Sequence, residues 1–288
     1  KAVWYVNKAS KRKSVSHIVR VNGDEGTPVP IPNTVVKLVY GDNTWLATAR
    51  EDNSTRTSKQ QLRLLLFHYP GGFMFSYILF DLDGTLTDPR EGITKSVQYA
   101  LDKMGIHESD LTALEHFIGP PLYDEFRRCY RFDDAQAKQA VAFYRERFSA
   151  VGWRENILFD GVADLLQALR DAGKKVAIAS SKPTVFVERI LHLFEIDRFF
   201  DAVSGATLDG TIGTKSQVVE QALDMLQVDD RDAAVLVGDR MHDAEGAREN
   251  GIPCVGVTFG FGGLQELHAA GADVIVSSMK ELQEVLLR

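Results

Sequence analysis

Tyr77-Ile78-Leu79-Phe80-Asp81-Leu82-Asp83-Gly84-Thr85-Leu86-Thr87-Asp88 is a short apolar run that stops on two acids and an Asp-Gly pair. Such a run, halted by turn-forming residues, predicts a buried strand that delivers two carboxylates into solvent at its carboxyl end. Open α/β sheets keep their chemistry at that end. Asp81 and Asp83 are two apart, so on extended backbone they lean to the same side. There they could share a cation or divide nucleophile and proton-transfer duties. A bare D-x-D is more often an Asp-Gly turn capping a helix, so the reading needs support elsewhere in the chain.

Three later stretches supply it. Lys174-Lys175-Val176-Ala177-Ile178-Ala179-Ser180-Ser181-Lys182-Pro183 predicts a strand ending in hydroxyls, followed by a helix from about Thr184 to Phe194. A hydroxyl and free backbone N–H groups at that junction suit phosphate oxygens, although a serine there could equally be an N-cap. Asp201-Ala202-Val203-Ser204 reads as a third strand, and Thr214-Lys215-Ser216 opens a helix from Gln217 to Leu226. A lysine at a helix start opposes the macrodipole, but it makes sense as a phosphate ligand and as a balance to clustered carboxylates. Ala233 to Gly238 is again apolar and again ends in acids, Asp239 and Asp243, in the pattern G-D-x-x-x-D. Strands at Ile252–Val257 and Ala272–Val276, with a helix over Met279–Leu287, finish an alternation of strand and helix that predicts a doubly wound, mostly parallel α/β sheet.

D-x-D-G-T-L-T-D after a strand, then the strand-end serine, the lysine and G-D-x-x-x-D, in that order, resemble the four motifs of the haloacid dehalogenase superfamily over Met74–Arg288. The resemblance implies a HAD-like core with an inserted helical C1 cap and a phosphatase of the phosphoglycolate phosphatase or 5'-nucleotidase kind. Asp81 would be the nucleophile and Asp83 the acid and base. Ser180, the Ser181 amide and Lys215 would bind the phosphate. Mg²⁺ would take the Asp81 carboxylate, the backbone carbonyl of Asp83 and Asp239, with Asp243 orienting a ligand or Lys215. The partner would be a small phosphorylated metabolite, whose phosphoryl group would pass through an aspartyl-phosphate as the rest leaves.

Between the first two motifs the periodicity becomes helical. Ile93, Val97, Ala100, Leu101 and Met104 recur at three- and four-residue steps. Leu111–Phe117 gives a shorter helix capped by Ser109 or Asp110, and Pro121–Tyr130 and Asp133–Ala150 two more. Ala140, Val141, Phe143, Tyr144 and Phe148 would face inward. The expected division is therefore core over 74–92 and 160–288, with the cap over 93–159. Such a cap would close over the Asp pair and exclude water. Phe117-Ile118-Gly119-Pro120-Pro121-Leu122 is similar to the loop that approaches the site in phosphoglycolate phosphatase relatives, and is equally a helix-breaking turn. Arg127, Arg128, Arg131, Arg145 and Arg147 could meet an anionic group, though exposed arginines are mostly just solvated.

Bulk properties set bounds. A chain of 288 residues, 44% hydrophobic and 25% charged, is an ordinary globular composition with room for one or two domains. A net charge of -7 gives no reason to expect nucleic acid. The first 73 residues are basic, with 11 Lys and Arg against 5 Asp and Glu, whereas the rest is acidic. In the front segment, whose role is open, Ser16–Val21 and Thr34–Tyr40 read as β-like pieces, of a small β unit or of a disordered extension, and Arg50–Gln61 as loop or weak helix. Lys11-Arg12-Lys13 reads as a solvated charge run. Met74, just ahead of the first strand, is the expected start of the enzyme, with residues 1–73 an appended segment or an upstream extension of the reading frame. Cys129 and Cys254 have no disulfide or zinc spacing, which fits a reduced cytoplasmic setting, and His242 has no ligand partner at useful spacing. No stretch suits a membrane span.

Rivals separate by residue. A dehalogenase has no need of Asp83 or of the metal, and a P-type ATPase would carry membrane spans. A β-phosphoglucomutase-type enzyme would share both aspartates but pass the phosphoryl group to a sugar. A non-catalytic binding module would have no chemical use for both acids.

Overall fold

The structure, a computed structural model, describes residues 75–209 and 211–288 fully, and the backbone of four strands ahead of them. The chain divides into two compact units, Lys1–Phe73 and Met74–Arg288.

In the first unit β1 (Ala2–Tyr5), β2 (Ile18–Arg20), β3 (Thr34–Gly41) and β4 (Thr44–Glu51) form an antiparallel sheet in the order β2-β1-β4-β3. β2 and β3 overlap the two stretches read as β-like from the sequence. β1 and β4 were not foreseen, and Arg50 and Glu51 end β4 instead of opening a loop or weak helix. The eight-residue pairing with β3, from Thr34 opposite Glu51 to Gly41 opposite Thr44, outweighs the local polarity. Lys11-Arg12-Lys13, Met74 and residues 52–61 lie outside the described residues.

In the second unit β5 (Tyr77–Phe80), β8 (Lys175–Pro183), β9 (Ala202–Ala206), β10 (Ala234–Gly238), β11 (Cys254–Val257) and β12 (Val274–Val276) make one parallel sheet, ordered β12-β11-β10-β5-β8-β9. β5 lies at its centre, Leu79 opposite Ala177 on one side and Leu236 on the other. Parallel sheets are covered on both faces, so their strands read as unbroken apolar runs. Accordingly Ile78, Leu79 and Phe80 have no exposed surface. Val218, Val219, Ala222 and Leu223 of one helix (Lys215–Met225) and Ala244 and Ala247 of another (Met241–Glu249) pack with Leu79 and Leu236. From β5 the chain turns to β8 and β9 on one side, then crosses back to β10 on the other. The loops leaving β5 and β10 diverge there, which opens a crevice at the carboxyl ends of the strands.

The short antiparallel pair β6 (Thr87–Asp88) and β7 (Ile157–Leu158) brackets the helical insertion. In chain order it contains α1 (Arg90–Lys103), a 3₁₀ turn at Leu111–Phe117, α2 (Leu122–Tyr130) and α3 (Asp134–Ala150). Asp110, one of the two candidate caps, accepts from the Thr112 N–H at 2.9 Å. Asp133 and Gln136 form a reciprocal capping box that starts α3, with bonds of 2.8 and 3.0 Å. The layer has its own core, in which Ile93, Val97, Leu101, Phe117, Phe126, Tyr144 and Phe148 meet. Ala140, Tyr144 and Phe148 are buried as the periodicity required, whereas Val141 and Phe143 are only half-buried at the edge of that face.

Among the described residues no helix is long and apolar enough to cross a membrane.

Candidate active site

The loop after β5 is wound tightly. The amides of Leu86 and Thr87 both donate to the Leu82 carbonyl, and the Gly84 N–H donates to the Thr87 carbonyl. This winding carries Asp81 and Asp83 onto the floor of a cavity of about 310 Å³, which Ser180, Ser181 and Lys182 at the end of β8 also line. Gly84 has φ +81°, a left-handed conformation, and a Cβ there would lie 2.2 Å from Asp239 Oδ2. Only glycine satisfies both constraints.

Lys215, the first residue of the helix Lys215–Met225, is buried beneath that floor. Its ammonium sits 2.8 Å from Asp81 Oδ1 and 2.9 Å from Asp243 Oδ1, and it donates to the Ala179 carbonyl at 3.1 Å. Burial works against its charge, yet Asp243 and Asp81 hold its pKa above the ordinary lysine range. Lys215 thus braces Asp81 from behind. Asp243 contributes its other oxygen, Oδ2, to the Arg240 N–H at 2.9 Å. Asp239 Oδ2 accepts from the Phe261 N–H at 2.7 Å.

The oxygens of Asp81, Asp239 and Asp243 all lie within 4.8 Å of one another. Burial first, then the neighbouring Asp243 and Asp81 charges, raise the Asp239 pKa well above the carboxylate range. Asp239 Oδ1 is buried with no hydrogen-bond partner. Four buried or nearly buried carboxylates (Asp81, Asp83, Asp239, Asp243) meet only two ammonium groups here, Lys182 and Lys215. An all-oxygen donor set, an orphaned carboxylate oxygen and twice as many carboxyl as ammonium groups fit a hard divalent cation. Asp243, with both oxygens already engaged, is the less available of the three.

Lys182 was not singled out from the sequence. Its ammonium lies 2.6 Å from Asp83 Oδ2 and 4.7 Å from the centre of the Phe148 ring on α3. Burial raises the Asp83 pKa in spite of the opposing pull of Lys182. The signal that could have found it is period two, since Ser180 and Lys182 share one side of the strand end. Ser180 itself is buried, and its Oγ accepts from the Lys182 N–H at 3.3 Å, so it does not cap the helix that begins at Thr184. His242 is half-buried and is not one of the acidic cluster's three grouped residues.

A second unforeseen residue joins the two layers. Arg240 Nη1 donates to the Ile118 carbonyl at 2.5 Å, and its Nε donates to Glu266 Oε1 at 2.9 Å. Ile118 begins the Gly119-Pro120-Pro121 turn that forms part of the cavity wall. Nothing local in the sequence pairs residues 122 positions apart.

Residues 78–257 match the family model described as haloacid dehalogenase-like hydrolase. The chain is 49% identical over 209 residues to a 5'-nucleotidase of Pseudomonas aeruginosa, covering 73% of this chain and 94% of that protein. It is 39% identical over 214 residues to the tyrosine-protein kinase PtkA of Mycobacterium tuberculosis, covering 73% of this chain and 72% of that one. A crystal structure from Clostridium acetobutylicum, described as a predicted phosphatase, superposes with a TM-score of 0.72 at 46% identity, over 74% of this chain and 99% of its own. The motif order, the six-stranded parallel sheet and these matches agree: the chain belongs to the haloacid dehalogenase-like hydrolase family, as an enzyme of its phosphatase type.

Proposed function

We propose that this enzyme hydrolyses a nucleoside monophosphate with Mg²⁺ as cofactor, through an aspartyl-phosphate on Asp81. The observation that carries the reading is the make-up of one cavity. Asp81 and Asp83 lie at its floor, while Phe117, Tyr123, Tyr144, Phe148 and Phe186 form much of its wall. Aromatic faces suit a planar base and offer little to a small, doubly acidic molecule such as 2-phosphoglycolate.

In this reading Asp81, steadied by Lys215, attacks phosphorus, and Asp83 gives a proton to the departing ester oxygen. The elevated pKa of Asp83 favours the protonated form that this step needs. Asp83 then takes a proton from the water that cleaves the acyl phosphate. Ser180, the Ser181 amide and Lys182, which line the same cavity, would meet the phosphoryl oxygens. Asp81, Asp239 and the Asp83 carbonyl would hold Mg²⁺, which when bound offsets charge on the transferring group. The helices over 90–150 act as the cap, closing the site against water.

The experiment is phosphate release from a panel of nucleoside monophosphates, 2-phosphoglycolate and sugar phosphates, with and without Mg²⁺. The nucleotides should show the highest kcat/KM, and Asp81→Asn should abolish release. Preference for 2-phosphoglycolate would reassign the substrate and give Arg145, on the cavity wall, a carboxylate to bind. Transfer to a sugar without phosphate release would point to the mutase chemistry, and inactivity under all metals to a binding module.

A further inference from the structure

Away from the catalytic crevice, on the outer side of the helical layer, three side chains of different chemistry converge. His116 comes from the end of the 3₁₀ turn, and Glu125 and Cys129 from successive turns of α2. His116 Nδ1 is 3.1 Å from Glu125 Oε2, Cys129 Sγ is 3.8 Å from each of the two His116 ring nitrogens, and Cys129 Sγ is 3.7 Å from Glu125 Oε2. A tetrahedral zinc with bonds of roughly 2.0 to 2.3 Å to N, O and S has ligand atoms about 3.4 to 3.6 Å apart. The three atoms therefore form a triangle of nearly the size of one face of such a site, and a turn of the imidazole, whose two nitrogens stand equally far from the sulfur, aims Nδ1 at its centre.

The geometry points to a zinc site formed by His116 Nδ1, Glu125 Oε2 and Cys129 Sγ, with water at the fourth position. A thiolate, an imidazole and a carboxylate form a set that selects zinc over the magnesium suited to the all-oxygen cluster at Asp81 and Asp239. Arg128 supports it. Its Nε donates to Glu125 Oε1 at 3.0 Å, a bond that can persist while Oε2 turns to the metal and gives up Arg128 Nη2, now 2.6 Å away. On binding, the Cys129 thiol releases its proton to solvent, and His116 carries its remaining proton on Nε2. No redox step is involved.

Cysteine spacing gave no hint of this, because the set has only one cysteine and its histidine lies 13 residues away across a turn. The consequence reaches the cavity. Phe117 and Tyr123, next to the ligand-bearing turn and on α2, line its wall, so a bound metal would clamp the turn to the helix and stiffen that side of the pocket.

The test uses the full chain, reduced and metal-free, in excess Mg²⁺. Titration with Co²⁺ should produce one equivalent of a thiolate-to-cobalt charge-transfer band that Zn²⁺ displaces. The band should be lost in Cys129→Ser and in His116→Ala and kept in Asp239→Asn. A measurement on the unaltered protein guards against misfolded variants. Cys254 is buried, so a thiol reagent reads the exposed Cys129, and Zn²⁺ at ten times its Kd should slow the reaction about tenfold. No cobalt–thiolate band, a band that survives His116→Ala, or an unchanged thiol reaction rate would each overturn the site.

Discussion

Lys182 Nζ lies 2.6 Å from Asp83 Oδ2, with both side chains almost wholly buried. The proposed proton donor is thus held by a cation that also faces the cap through the Phe148 ring. Burial is the larger influence on Asp83 and raises its pKa, while Lys182 pulls it down. Removing Lys182 therefore raises it further. In Lys182→Met the step that needs Asp83 as a base should shift its acidic limb to higher pH, and kcat at neutral pH should fall on the order of 10²-fold. A pH profile of kcat for the two proteins checks this. A lowered kcat with an unmoved limb would confine Lys182 to binding phosphate.

The residues legible from sequence share one property, which is that a local signal in the chain marks each of them. Asp81, Ser180 and Asp239 each follow an apolar run, and a parallel sheet brings all such run-ends to one edge. Lys215 was legible as a lysine where a helix disfavours one. It was expected on phosphate and as a balance to clustered carboxylates, and its ammonium lies against two of those carboxylates, Asp81 and Asp243. Contacts made across the fold left no such trace. The Phe261 amide on Asp239, Arg240 on Ile118 and His116 beside Cys129 depend on how loops meet, which no periodicity encodes. In the front unit β4 was missed for a related reason, because its pairing with β3 decides its conformation.

Gly84→Ala should be costly on two counts. The left-handed φ of +81° costs a non-glycine residue roughly 1 to 2 kcal/mol, and the new methyl meets the Asp239 carboxylate at 2.2 Å. Because Asp239 must move, the variant should need more Mg²⁺ for half-maximal activity as well as melting at lower temperature. A melting shift with an unchanged Mg²⁺ requirement would show that Asp239 is not a ligand. Metal titration of activity alongside a thermal melt reads both.

Arg240→Ala removes the donor that the Ile118 carbonyl uses at 2.5 Å and the partner of Glu266. Leaving a buried acceptor unpaired costs about 1 to 3 kcal/mol. Since Ile118 leads into a turn on the cavity wall, the loss should fall on substrate binding more than on chemistry. About 1 kcal/mol expressed there is roughly a fivefold rise in KM. Steady-state kinetics with the preferred substrate would show KM rising with kcat little changed. A fall in kcat with KM constant would instead place Arg240 in the support of Asp243, whose Oδ2 takes the Arg240 amide.

Arg147 on α3 grips Glu155 with two bonds, Nη1 to Oε2 at 2.7 Å and Nη2 to Oε1 at 2.9 Å, and the same Nη1 reaches Ser96 Oγ on α1 at 3.2 Å. The pair ties the end of the helical layer to its first helix. The Arg147 hydrogen bonds lower the Glu155 pKa below its ordinary value of about 4.5, against the opposing effect of burial. A carboxylate with a depressed folded pKa contributes stability that is complete above the unfolded value and is lost as pH falls through the folded one. For a half-buried pair open to solvent screening, that contribution is about 1 kcal/mol, or about 2 to 4 °C in Tm for a unit of this size. Glu155→Gln should therefore melt below the parent at pH 7, and the gap should narrow progressively once pH drops beneath about 4.5. Melting curves for both proteins across that range would show it. A gap that stays constant with pH would mean that the side chain acts through packing and not through its charge.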